Sequence, residues 1–177
     1  MSDALNKLNR ISRYGGLIAK VIMAILVIAI VALVILLAVT VADPELSFNP
    51  ADWNNMIIAA PVTIGQIQAA ALAAIATIAA ILAIMYYIDR LFTSLHKNNT
   101  PFTDENVRNL RIIAILILAA TIVLAIIGAA LSYVFDTDAM TVIGFNPFTL
   151  LVALMVYILS LIFSYGVTLQ RESDQTL

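Results

Sequence analysis

The chain contains no cysteine. Disulfides, thiolate metal sites and cysteine nucleophiles are thereby excluded, and nothing follows about the redox state of its compartment. Histidine is nearly absent too. His96 stands alone, and its best metal partners in sequence, Asp104 and Glu105, lie beyond a proline-containing loop. One imidazole with two exposed carboxylates makes a poor zinc site. Charge is scarce: Asp, Glu, Lys and Arg make up 11% of the residues and the net charge is −2, and the few basic residues clustered at helix ends are of the kind that meets lipid phosphates. Direct nucleic-acid binding is not expected. Also missing are a nucleophile beside a base and an orienting group, a phosphate-cradling glycine loop and a paired-carboxylate site. The chain therefore does not read as an enzyme, and no catalytic, cofactor or metal site is expected.

What is abundant is apolar. Hydrophobic residues make up 63% of the chain, more than a soluble core of this length could hide. Four apolar runs, at about 17–42, 64–88, 112–134 and 148–167, each reach the ~20 residues that a helix needs to cross ~30 Å of hydrocarbon. They lack the period-two alternation of membrane β-strands. The first run is rich in Ile and Val, but lipid leaves every backbone group to be bonded internally, and the helix wins. The expected fold is an all-α membrane protein: one integral domain over 1–177, a four-transmembrane-helix bundle made of two antiparallel hairpins. A cleaved signal peptide is the competing reading of the first run, which is much longer than the usual apolar core of such peptides.

Lysine and arginine are segregated. Lys7, Arg10, Arg13 and Lys20 precede or open the first run, Arg90, Lys97, Arg108 and Arg111 lie between the second and third, and Arg171 follows the fourth. The other two loops hold only carboxylates: Asp43, Glu45, Asp52, Asp136 and Asp138. The positive-inside rule then predicts a multi-pass protein of the cell membrane, in contact with lipid, with both termini and the 89–111 loop cytoplasmic.

Within that loop "NNTPFTDENVRNLR" reads as the start of a well-capped helix. Thr103 suits the N-cap, Asp104 and Glu105 suit the first turn, and Asn106 completes a weak capping box. Phe102 and Val107 are spaced as a hydrophobic staple, and Asp104 can reach Arg108 one turn on. The simplest reading is a clean helix start; the sharper one is a surface for a partner. The loop should lie near the C-terminal tail, since short connections make the last two helices antiparallel neighbours. Lys97, Arg108 and Arg111 would then approach Glu172 and Asp174, with Phe92, Leu95 and Phe102 as apolar contacts. Such a mixed patch suits a small protein. A structural ion pair is expected between Asp89, at the unfavourable end of the second helix dipole, and Arg111 or Arg108.

The spans themselves hold no ionisable group away from their ends, which argues against ion-coupled transport. Small residues at Gly65, Ala69, Ala73 and Thr77, and at Thr121, Ala125 and Ala129, mark close helix packing within one subunit, with a homo-oligomer interface as the alternative. Gln66, Gln68, Tyr157 and Ser160 are expected to bond across helices. "FNP" at Phe48–Pro50 and again at Phe145–Pro147 raises the question of a duplicated hairpin.

"PFTDENVRNLR" and the tail "GVTLQRESD", Gly166 to Asp174, resemble the bacterial four-span membrane family known as domain of unknown function twenty-nine seventy-five. The resemblance implies no mechanism. It implies that such proteins are often encoded beside a small helix-turn-helix regulator, which suggests a cytoplasmic protein partner. Three function classes stay open: a regulatory or sensor subunit that binds such a partner, a small transport, channel or tolerance component, and a structural membrane protein without a dedicated ligand. The first is preferred, because the organised polar sequence all falls on the side expected to be cytoplasmic.

Overall fold

The structure, a computed structural model, describes residues 2–43, 63–98, 100–136 and 146–175, with side chains from residue 10 onward except that of Asp174. It has four helices and, among the described residues, no strand: α1 (Ser2–Ala42), α2 (Ile64–Asn98), α3 (Asp104–Phe135) and α4 (Pro147–Gln175). Each is long and apolar enough to cross a membrane. This is the expected all-α class, and the protein is a multi-pass membrane protein. The helices run well past their apolar runs: α2 continues beyond residue 88 to Asn98, and α3 starts at Asp104 rather than 112. Lipid dictates only the middle of a span, and each helix continues until a local signal stops it.

Those signals are visible at the ends. At the start of α2, Thr63 and Gln66 form a reciprocal capping box, Gln66 N–H donating to Thr63 Oγ1 (3.2 Å) and Thr63 N–H to Gln66 Oε1 (2.9 Å). Gln66 therefore caps its own helix instead of bonding across to another. At the start of α4, Asn146 Oδ1 accepts from Phe148 N–H (2.9 Å) and Pro147 takes the first helical position, where its missing N–H costs nothing. Pro101 ends what α2 could otherwise extend, since it lacks a donor and disfavours helix in the residue before it. Beyond α3, Asp136 adopts φ 47°, a left-handed cap conformation that Asp tolerates better than most residues.

The chain groups into two compact units, one of Met1–Leu26, Ala80–Thr121 and Asn146–Leu177, the other of Val27–Ala79 and Ile122–Phe145. In the second unit the small residues of α2 form the interior: Ala69 and Ala73 are each 1% exposed. A β-carbon on Gly65 would meet the Phe135 ring of α3 at 3.6 Å. The α2 stripe thus packs within the subunit. Gln68 Nε2 donates to the Thr40 carbonyl of α1 (3.3 Å), the cross-helix bond expected of it. In the first unit, Thr121 of α3 and Thr149 of α4 bring their hydroxyls to 2.9 Å. Ser160 instead donates to the Tyr157 carbonyl of its own helix (2.6 Å). The first "FNP" and Phe145 lie outside the described residues, so only Asn146 and Pro147 of that match are placed.

Candidate functional site

The first unit gathers the α2–α3 connection and the end of α4. Thr103 caps α3 as expected, its Oγ1 accepting from Asn106 N–H at 3.2 Å. The Asn106 side chain does not return the bond. Its Nδ2 donates to the Pro101 carbonyl (3.0 Å), so the amide ties the connection to the helix it precedes. Phe102, expected at the staple position before α3, packs on another helix. Its ring leans over α4, where a β-carbon on Gly166 would come within 2.5 Å of Cε1, and it lies 5.6 Å from the Phe163 ring. Only a glycine leaves room for the ring there.

Polar contacts accompany this packing. Thr100 Oγ1 donates to Gln170 Oε1 (3.4 Å), and Asp104 pairs with Arg171 rather than with Arg108. The Asp104 and Arg171 side chains are largely exposed, so the pair orients more than it stabilises. On the α2 side, Asn98 Nδ2 donates to Ser94 Oγ (3.1 Å) and Ser94 Oγ donates to Glu105 Oε2 (3.4 Å). The connection is thus tied to α2 and to the end of α4.

Beneath it lie two asparagines. Asn106 is 0% exposed and Asn109, one turn on, is 1% exposed. Neither Asn109 side-chain atom, nor Asn106 Oδ1, has a hydrogen-bond partner among the described residues. Composition gives no sign of this, because an asparagine between two arginines reads as a solvated residue.

The residues of the expected patch divide. Phe102 lies in the connection before α3, Arg108 and Arg111 on α3 and Glu172 on α4, and the arginines are exposed without an ion pair to any described residue. Lys97 is exposed and Leu95 half-buried on α2. Phe92 is spent elsewhere, against α1, where its ring fills the space beside Gly15; a β-carbon there would come within 2.6 Å of Cε1. The Asp174 side chain lies outside the described residues. The expected Asp89–Arg111 pair is not formed. Asp89 Oδ1 instead lies 4.0 Å from Lys20 Nζ of α1. Gly15 and Gly16 explain the change: they let α1 approach this face of α2, with Asp89 Oδ1 3.6 Å from where a Gly16 β-carbon would stand. Arg90 lies over the Tyr86 ring at 5.8 Å, a cation–π contact.

The family model described as Protein of unknown function (DUF2975) matches residues 48–177. The chain belongs to that family. The match takes in α2, α3, α4 and both distinctive segments, so the DUF2975 assignment covers the whole connection described above and leaves out α1. No curated protein and no solved structure matches the chain.

Proposed function

We propose that this DUF2975 protein is a membrane-embedded regulatory or sensor subunit, with both termini in the cytoplasm, that docks a cytoplasmic protein on the start of α3 beside the end of α4. One observation carries the reading: Arg108 and Arg111 share an exposed face of a helix whose first turn is tied to two other helices, yet neither has an ion pair among the described residues. A pre-organised surface with unspent guanidinium donors suits a carboxylate-bearing partner, because arginine forks pair bidentately with carboxylates and little ordering entropy remains to be lost. Segregation of Lys and Arg supports the cytoplasmic orientation. A small helix-turn-helix transcription regulator is the partner class to seek first; direct nucleic-acid binding is not part of the proposal.

The test is crosslinking recovery from native membranes. Arg108→Glu with Arg111→Glu should abolish recovery of at least one cytoplasmic protein captured by the native chain while leaving membrane insertion unchanged. Identical recovery from both proteins would overturn the proposal.

A further inference from the structure

A second polar feature of the same unit plays no part in that proposal. Between α1 and α2 lies an open cleft of about 820 Å³. Its α1 wall carries Arg10, Arg13, Leu17 and Lys20, and its α2 wall carries Phe92 and His96. Steps of three, four and three residues keep the α1 set on one face of the helix. The face is graded along its length. Arg10 and Arg13 precede the apolar run, Leu17 opens it, and Lys20 lies one turn deeper, on a stem long enough to return its ammonium towards the headgroups. At ~1.5 Å per residue the basic ladder covers roughly 15 Å of helix.

Among the described residues the charges are not balanced locally. Asp89 faces Lys20 at 4.0 Å, whereas Arg10 and Arg13 pair with no described carboxylate. Tyr14, Leu17 and Phe92 give the same cleft an apolar wall. A free phosphate would use only the cationic part, and a protein partner would need a broader surface than a cleft of ligand size. Guanidinium groups above an apolar wall, at the level where a span enters the headgroups, match a phosphodiester with acyl chains below it.

We propose that this cleft holds the headgroup of an anionic phospholipid. Arg10 and Arg13 bind the phosphodiester oxygens, and His96 supplies a further ring donor from α2. Lys20 divides its charge between the lipid and Asp89, and Leu17 and Phe92 line the start of the acyl region.

The test is native mass spectrometry of the full chain from detergent, offered phosphatidylglycerol, phosphatidylcholine or inorganic phosphate. The native protein should retain phosphatidylglycerol over phosphatidylcholine, and millimolar inorganic phosphate should not displace it. Arg10→Gln with Arg13→Gln should weaken retention roughly tenfold or more, in line with the contribution of two charges near an anionic lipid. Arg10→Lys with Arg13→Lys, which keeps the charge, should hold most of it and so separates binding from misfolding. Arg108→Gln with Arg111→Gln removes the same charge outside the cleft and should leave retention unchanged. Equal retention of both lipids, equal loss in the α3 variant, or displacement by free phosphate would each overturn the assignment.

Discussion

The Phe102 ring occupies the space that a side chain at Gly166 would need. Through this contact the α2–α3 connection rests on α4, and the polar contacts around it follow from the approach. An exposed ion pair contributes ~0–1 kcal/mol, whereas fully burying an aromatic side chain contributes ~1.5–3 kcal/mol, of which the Phe102 ring, 39% exposed, gains the larger part. Packing, rather than charge, holds the connection to α4.

Gly166→Ala and Phe102→Ala should therefore each lower the thermal midpoint in detergent more than Arg171→Gln does. Differential scanning fluorimetry of the three variants checks the order. A loss for Arg171→Gln as large as for Gly166→Ala would assign the contact to the ion pair.

Lys20 and Asp89 should show the asymmetry of a partly buried pair. Asp89 Oδ1 is buried while the Lys20 side chain is 64% exposed, so Lys20→Met strands a carboxylate, while Asp89→Asn leaves an ammonium that water reaches. Lys20→Met alone should destabilise more than Lys20→Met with Asp89→Asn, since removing one partner costs more than removing both. Adding Arg111→Gln to either background should act additively, as expected of a residue outside the pair. A double-mutant cycle on thermal midpoints measures both.

Asn109 should be replaceable by an apolar residue. Its amide is buried without a described partner, and a buried polar group left unmatched costs about 1–3 kcal/mol. Asn109→Leu is similar in size and should hold or raise the midpoint. A fall of several degrees would show that the amide is matched by a bound water or by another molecule.

Reporters placed after Ser47 and after Thr137 should read extracytoplasmic, and those after Asn98 and at Leu177 cytoplasmic. Fusion activity in whole cells checks this. A reversed signal at Asn98 would overturn the orientation drawn from Lys and Arg.

The four helices and the α3 cap were legible in the sequence because both follow from local chemistry: hydrocarbon requires internal backbone bonding, and Thr103 needs only the N–H three residues on. Neighbour choice was not. Asp89 looked towards the arginines next in sequence, but Gly15 and Gly16 bring α1 to that face of α2 and Lys20 takes the role. Phe92 and Phe102, read as one apolar patch, are separated by the same logic, each filling the gap beside a glycine on a different helix. A glycine spaced to face an aromatic on another helix was the available sign, readable only once the pairing of helices is known. Asn109 carried no sign at all, since burial of an amide flanked by charge depends on how α3 is rotated.

The most apolar stretch of α1 has no buried residue. Its apolar run, 17–42, is about 39 Å long at ~1.5 Å per residue, against ~30 Å of hydrocarbon. Where α1 presents this stretch to lipid, an overlong span settles its lean by hydrophobic mismatch, tilting further as the bilayer thins. Membrane thickness thus becomes a mechanical input to the helix that carries Arg10, Arg13 and Lys20.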